Sequence, residues 1–459
     1  MKKRRCVNLI SFKIIYLLIF LFIMIGCKDT SDAPDSDQES IIPPSNLKAT
    51  AINPFNIKLT WQNNCQYNLN VEISIDNNNY HLGQTIRDDS TNYVFKNLQP
   101  KRKYYFRIHV IGPSDVIYIG KAPYFPYSNV VTATTPAYDS SWQYSSIAEM
   151  IGKDADYYYD IYNALSIDRN DNLHVVYAGK DGSPMYGTNT SGQWQFTTVE
   201  TGVSPINHTS IALDSRNKVH LCYYDNNYNI KYATNVSGQW QITKIGTAGE
   251  YNGETSIAIG TDDKVHIVYH AWGLQYATNK SGQWIKTTIA GSDGAYPSVV
   301  VDSYDSVHVC MSSQYSLYYA KYSNSKWITS YIASLEYGTG SNAAMTVDAN
   351  GSAHISYIND IGWLWYATNK NGQWQTNVVG TTGFQTSITI DMQNNLHICC
   401  VESYGLTYYN NVRGSWQINA FLDQENPRSP SIKCDHTNRV NILYQGGRWN
   451  EVKCVSKAP

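Results

Sequence analysis

Histidine and aspartate recur along this chain in a fixed relation. His174, His220, His266, His308, His354 and His397 follow one another every 42–46 residues, and Asn441 takes the same place in a seventh unit. Six residues ahead of these markers stand Asp168, Asp214, Asp302, Asp348, Asp391 and Asp435, with Gly260 in the third unit and Asp262 and Asp263 shifted into the following turn. Imidazole and carboxylate are acid–base and metal-ligand groups, but the interval argues against both uses. Equivalent residues on neighbouring packed sheets lie about 10 Å apart, whereas zinc needs each nitrogen ligand at about 2.0–2.1 Å. Two marker histidines therefore cannot share an ion. The expectation is that each Asp bonds turn backbone and each His stays within its own unit. No catalytic residue, metal ligand or cofactor is assigned.

The units themselves explain the spacing. "KYATNVSGQW" (Lys231–Trp240), "QYATNKSGQW" (Gln275–Trp284) and "WYATNKNGQW" (Trp365–Trp374) are near copies. A phrase that recurs at a near-constant period is scaffold. From Ala164 onward each unit has an "SIALD"-like strand, a turn, a "VHIVY"-like strand, a variable loop, "YATN", a second turn and a strand led by "GQW". Four short strands in about 45 residues spell a β-propeller blade. The seventh unit has "PSIKCD", "VNILYQ" and "NEVKCVS" but no fourth strand. Ser141-Trp142-Gln143-Tyr144 carries the missing pattern upstream. The expected architecture is thus all-β, with residues 141–459 forming a seven-bladed propeller closed by an N-terminal outer strand, which removes an open sheet edge.

Ser210, Ser256, Ser298, Ser387 and Ser431 are small residues at one inner-strand position, each followed by Ile or Val, a pairing suited to interdigitating sheets. Lys433 breaks the pattern and is expected to face the central channel. Cys222, Cys310 and Cys399 share a repeat position and read as buried apolar residues; no disulfide is expected. Asn189, Asn235 and Asn279 match glycosylation sequons but belong to the repeated turn, where Gly adopts backbone angles other residues resist.

Residues 43–136 form short alternating strands: "NIKLTW", "NVEISI", "YYFRIHVI" and "NVVTATTP". Pro44, Leu47, Trp61, Leu98-Gln99-Pro100 and Tyr104 give this stretch its resemblance to a fibronectin type III domain. The resemblance implies a β-sandwich with Trp61 in its core and Tyr104 as a tyrosine corner, its hydroxyl returned to backbone. A spacer role is expected, with adhesion as the alternative. Ahead of it, Lys2-Lys3-Arg4-Arg5 precede the apolar run Ile14–Ile25, too short to span a bilayer and suited to a signal peptide. Met24-Ile25-Gly26-Cys27 resembles a bacterial lipobox. That implies a lipoprotein signal peptide over residues 1–26, lipid attached at Cys27 and, with Lys28 following, the outer membrane or cell surface. Residues 27–42 are acidic, Ser-rich and end at Pro-Pro, as a flexible tether would be. A net charge of -2 with scattered basic residues gives no electrostatic case for nucleic acid.

The propeller resembles sialidase-like propellers in general architecture only. Their Ser-x-Asp-x-Gly-x-x-Trp box is absent, and so are G-x-S-x-G and H-E-x-x-H. A retaining hydrolase needs two carboxylates about 5–5.5 Å apart. Glu250, Glu254, Glu336, Glu402, Asp423 and Glu425 fall in variable loops, which keeps a glycan-cleaving hydrolase or lyase as the alternative function. The copies diverge most between second and third strands, where aromatics persist: Tyr224, Trp272, Tyr315, Trp363, Tyr404 and Trp449. Exposed aromatics beside amides and carboxylates suit a glycan or protein ligand. The expected function is ligand binding at the cell envelope by a lipid-anchored, non-catalytic protein; a structural role in an envelope complex is a third reading.

Overall fold

The computed structural model describes residues 41–458, apart from 55, 88, 97, 100, 113–124, 137–140, 151–162, 204–205, 249–252, 290–294, 314–315, 324, 336–342, 360, 382, 403–404, 424–426 and 447–450. Among the described residues every regular element is a strand.

The first unit contains β1 (Ser45–Asn53), β2 (Asn56–Gln62), β3 (Leu69–Ser74), β4 (His81–Ile86), β5 (Asn92–Phe95), β6 (Lys103–Val110) and β7 (Val131–Thr134). They form two sheets, β1-β2-β5 and β4-β3-β6-β7. Period-two alternation decides which face is inward. Along β6, Tyr104, Phe106, Ile108 and Val110 are buried, and the residues between them are not. They share one core with Leu47, Ile57, Leu59 and Trp61. The Tyr104 hydroxyl accepts the backbone N–H of Gln99 at 2.8 Å, which makes the tyrosine corner.

The second unit is seven four-stranded antiparallel sheets. Blades one to six span 164–198, 207–247, 255–288, 295–334, 344–380 and 385–423. Blade seven takes three strands from 428–457 and its fourth from β8 (Trp142–Glu149), paired antiparallel from Glu451↔Glu149 to Lys457↔Trp142 with one bulge between Val452 and Lys453. Second strands are buried on both faces, as in "LHVVYA" and "AHISYI", because each sheet is covered by a neighbour on either side. Outermost strands such as Gln195–Thr198 are exposed.

Hydrogen bonds between blades close the circle. Ser210, Ser256 and Ser298 accept through Oγ the N–H of Ile257, Val299 and Met345 on the next blade, at 3.1, 3.0 and 3.2 Å. Ser387 does so for Ile432 and Ser431 for Leu165, the latter joining blade seven to blade one. The serines are therefore more than small: each supplies an acceptor. Ala164 and Ala344 hold the equivalent place in blades one and five. A second set of bonds links the turns. Ser215 and Thr261 donate backbone N–H to Asp263 and Asp305 of the following blade, both at 2.7 Å, and His436 donates to Asp171 at 2.8 Å. Asp263 is thus no shifted marker. It holds the left-handed turn position (φ 58°) that Asp171, Asn217, Asp305, Asn394 and Asn438 also occupy. Lys433, on the innermost strand of blade seven opposite Asn441, is exposed, and the protein packed around it lowers its pKa by desolvation.

Each letter of the repeated phrase has a physical task. The Asn235 side chain accepts the N–H of Val219 at 2.8 Å, pinning the start of the second strand, and Gly238 (φ 91°) turns the chain. Tyr232 places its hydroxyl 2.7 Å from His220 Nδ1, and the same bond joins Tyr186 to His174, Tyr276 to His266, Tyr319 to His308, Tyr366 to His354 and Tyr408 to His397. The marker Asp carboxylates accept turn N–H groups, as Asp168 does from Asn170 and Asn172. His Nε2 lies 2.9 Å from Asp302 and 3.2 Å from Asp391, and 3.4–3.6 Å from Asp168, Asp214 and Asp348. In blades two to six the Trp of the phrase meets the tyrosine of the preceding blade edge-on: Trp240 with Tyr186, Trp284 with Tyr232, Trp327 with Tyr276, Trp374 with Tyr319 and Trp416 with Tyr366. Trp142 of β8 meets Tyr408 in the same way at 5.1 Å, so the borrowed strand completes the series.

Burial lowers the pKa of all six marker histidines. His266, facing Gly260 instead of an aspartate, falls to about 4. The sign follows: below about pH 6.5 the unfolded chain takes up protons that the folded chain refuses, so stability falls with pH. For His266 the window runs from about 6.5 down to about 4 and is worth roughly 3 kcal/mol. The aspartates act only below the usual carboxylate range, so the two effects separate. Urea unfolding between pH 7.5 and 4.5 should show this loss. His266→Asn, which installs the residue type that blade seven carries at Asn441, should be less stable at pH 7.5 yet show a flatter pH dependence; an equal slope would remove His266 from this account.

Candidate functional site

The two ends of the ring differ in kind. At one end the Asx turns repeat blade after blade. At the other, the hairpins joining second to third strands differ in length and sequence. Blades two and three carry the most distinctive pair. In blade two Asp225 accepts the N–H of Asn227 and Asn229, both at 2.9 Å, and sets a tight turn. Tyr228 sits in that turn at φ 61° and is 39% exposed. In blade three the loop is only Ala271-Trp272-Gly273, closed by a 2.9 Å bond from Ala271 N–H to the Gly273 carbonyl. Trp272 adopts φ 53° and is 85% exposed. A bulky residue at positive φ is an outlier, costing on the order of 1–3 kcal/mol. Two adjacent blades hold an aromatic residue in this conformation at equivalent hairpin tips.

Behind Trp272 lies a polar group assembled from three segments. Glu254 is 6% exposed. Its carboxylate lies 3.1 Å from His270 Nδ1, and its carbonyl accepts the His270 N–H at 3.0 Å. Burial alone would raise the pKa of Glu254. The hydrogen bond from His270 and the charge of nearby His208 outweigh that and hold it below the usual value. The carboxylate stays ionised, so it braces the strand that leads into Trp272 and is unsuited to be a general acid at neutral pH. His208 is itself at φ 48°, and its carbonyl accepts the Thr255 hydroxyl at 2.5 Å.

Of the aromatics singled out in the sequence, Trp272 stands at the tip just described. Trp363, in blade five, is half-buried and donates its N–H to Asn359 at 2.8 Å. Tyr224 ends a strand and is 7% exposed, packed in one core cluster with Ala271. Gly253 lies so close that an added Cβ would fall 2.3 Å from the Tyr224 ring. The exposed ring of that hairpin is Tyr228, four residues on. Cys27, Tyr315, Tyr404 and Trp449 lie outside the described residues, as do Glu250, Glu336 and Glu425. Glu402 and Asp423, expected in loops, instead end the strands Leu396–Glu402 and Gln417–Asp423 and join scaffold. Glu402 accepts from the Tyr409 and Thr407 hydroxyls within blade six. Asp423 lies 2.9 Å from the Tyr444 hydroxyl and 3.2 Å from Lys453 Nζ, linking blades six and seven.

His208, Glu254, His270 and Tyr228 were not singled out together in the sequence. The available signal was departure from the repeat. His270 follows the "VHIVY" strand where other copies have Ala178, Tyr224, Ser312, Ile358, Val401 or Gln445, and Glu254 stands two residues before the inner-strand Ser256 where blade two has His208.

Residues 42–115 match the fibronectin type III domain family, so the N-terminal sandwich is a fibronectin type III domain. No curated protein matches the chain. Among solved structures, AofleA from Arthrobotrys oligospora aligns at 15% identity over 61% of this chain and 89% of its own, with a TM-score of 0.45. The Aleuria aurantia lectin, described as a six-bladed β-propeller with a novel fucose recognition mode, aligns at 10% identity over 58% and 96%, with a TM-score of 0.44. An inactive form of virginiamycin B lyase from Staphylococcus aureus aligns at 11% identity over 69% and 99%, with a TM-score of 0.48. Likeness at this level carries no information on ligand or reaction.

The geometry at Trp272 makes a stability prediction. Trp272→Gly removes little buried surface and relieves a positive φ. Urea unfolding should show stability unchanged or raised by up to about 1 kcal/mol. A loss above about 2 kcal/mol would mean that the indole packs on the core.

Proposed function

We propose that the propeller is a non-catalytic binding module and that its divergent face takes a glycan, with Trp272 and Tyr228 as stacking anchors. One observation carries this reading: two aromatics on adjacent blades are held exposed, at positive φ, at the tips of short hairpins. Strain that persists against solvent exposure of an indole is a cost to stability, and such outliers cluster at binding and active sites. A flat aromatic face meets the apolar face of a pyranose ring, and neighbouring amides such as Asn226 and Asn227 supply hydroxyl partners. A protein ligand would use the same anchors as hot spots. Among the described residues, the candidate carboxylates Glu254, Glu402 and Asp423 are each engaged with scaffold donors, which favours binding over cleavage.

Glycan-array and protein pull-down screens should yield a ligand for the intact chain. Trp272→Ala and Tyr228→Ala should each weaken it by about thirtyfold, equivalent to about 2 kcal/mol, with little change in Tm. Unaltered binding by both variants would move the site elsewhere.

We also propose that residues 1–26 are removed as a signal peptide and that Cys27 carries lipid, holding the protein at the cell envelope, on the outer membrane or cell surface. The tether and the sandwich would then space the propeller from the bilayer. Cys27→Ser should abolish labelled fatty-acid uptake and release the protein into the soluble fraction. A wild type that takes up no label, with a mutant still in membranes, would overturn this.

A further inference from the structure

The outer rim of the ring carries a second kind of concavity, away from the divergent face. Between blades one and two lies an open cavity of about 420 Å³ lined by Tyr186, Thr197, Asn235, Gly238, Gln239 and Trp240. Four of these belong to the repeated phrase of blade two, and Thr197 stands directly across the ladder from Tyr186. Trp240 is half-buried, and Thr197 and Gln239 are exposed. None of the six residues is ionisable near neutral pH, since burial pushes the Tyr186 hydroxyl up to about 12.

The repeat writes this lining again. Blades two and three have Tyr232 opposite Thr243, with Trp284 on the next blade. Blades four and five have Tyr319 opposite Ser330, with Trp374. At both junctions the phrase again supplies Asn, Gly and Gln. The other four junctions each lose a part. Between blades three and four Tyr322 replaces the Asn, and its ring lies 5.1 Å from that of Trp327. Between five and six Ser415 replaces the Gln. Between six and seven Trp142 is 4% exposed, with Lys457 Nζ 5.8 Å from its ring centre. Between seven and one Cys454 stands in the tyrosine's place, and Trp194 stacks on Phe196.

We propose that the three complete junctions, one–two, two–three and four–five, are equivalent binding sites for a neutral saccharide, which make the propeller rim trivalent. The indole offers a stacking face, the Gln amide and the Thr or Ser hydroxyl offer hydrogen bonds, and the lack of charge selects a neutral ligand. The groove between blades one and two is open, and a site of that form is weak. Three copies on one rigid ring convert weak sites into avidity for a polyvalent glycan. These sites are independent of Trp272.

The test uses the intact protein and a panel of neutral methyl glycosides, read by saturation-transfer NMR and by stoichiometry in native mass spectrometry. Thr197→Trp, Thr243→Trp and Ser330→Trp fill one groove each from exposed or half-buried positions on outer strands, with circular dichroism melting to check folding. In a Trp272→Ala background, which takes the divergent-face site out of the count, the expected result is three glycosides bound, one fewer for each folded rim variant, and none in the triple rim variant. Trp272→Ala should leave the rim count at three. The proposal is overturned if no glycoside binds, if the count does not fall in the folded variants, or if Trp272→Ala alone abolishes binding; the last result would leave only the divergent-face reading standing.

Discussion

The ring depends on a hydrogen bond repeated six times, from a buried tyrosine hydroxyl to the Nδ1 of a buried histidine. A phenol withdrawn from water must find a partner or lose on the order of 1–3 kcal/mol. Histidine can accept that bond only while neutral, and burial keeps it neutral by lowering its pKa. The tyrosine ring, fixed by its hydroxyl, then offers an edge-on contact to the tryptophan of the next blade. A bond within one sheet thus sets the angle at which the next sheet packs. Blade seven shows the dependence by exception: Asn441 replaces the histidine and Cys454 replaces the tyrosine, so donor and acceptor are lost together.

Closure follows from the same contact. A ring of sheets has no free face only if the last blade is complete, and its fourth strand comes from the other end of the second unit. Trp142 on β8 reaches Tyr408 as the other phrase tryptophans reach their tyrosines. Ser431 to Leu165 and His436 to Asp171 then stitch blade seven to blade one at both ends of the seam. Polar bonds of this kind give register, while the apolar second strands give most of the burial free energy.

With one end of the ring committed to identical turns, variation is free at the other. There the backbone is bent into conformations that stability alone would not select, at Tyr228 and Trp272. Glu254 and His270 brace the strand beneath Trp272, so the strained tip rests on a satisfied polar base. The rigidity of the blades makes such loops tolerable, since each is short and its ends are held by a strand ladder.

The sequence by itself determined the blade order, the borrowed strand and the turn chemistry, because these lie within one strand or one turn and repeat with a short period. Asn235 pinning Val219, Gly238 turning the chain and Asp168 capping its turn are local events that any copy of the phrase repeats. The alternation in "YYFRIHVI" likewise told which residues of β6 enter the sandwich core. Only the tertiary structure decided what the divergent end contains. Tyr224 reads as a loop aromatic, yet its ring is buried because Gly253, from the next blade, leaves room for it. Tyr228 reads as one of many loop residues, yet Asp225 folds the turn so that its ring faces solvent. Ser210 reads as merely small, yet it bonds the neighbouring sheet. The physical reason is common to all three: strand period and turn chemistry are written in consecutive residues, whereas burial and partnership at a blade junction depend on atoms that arrive from some 45 residues away.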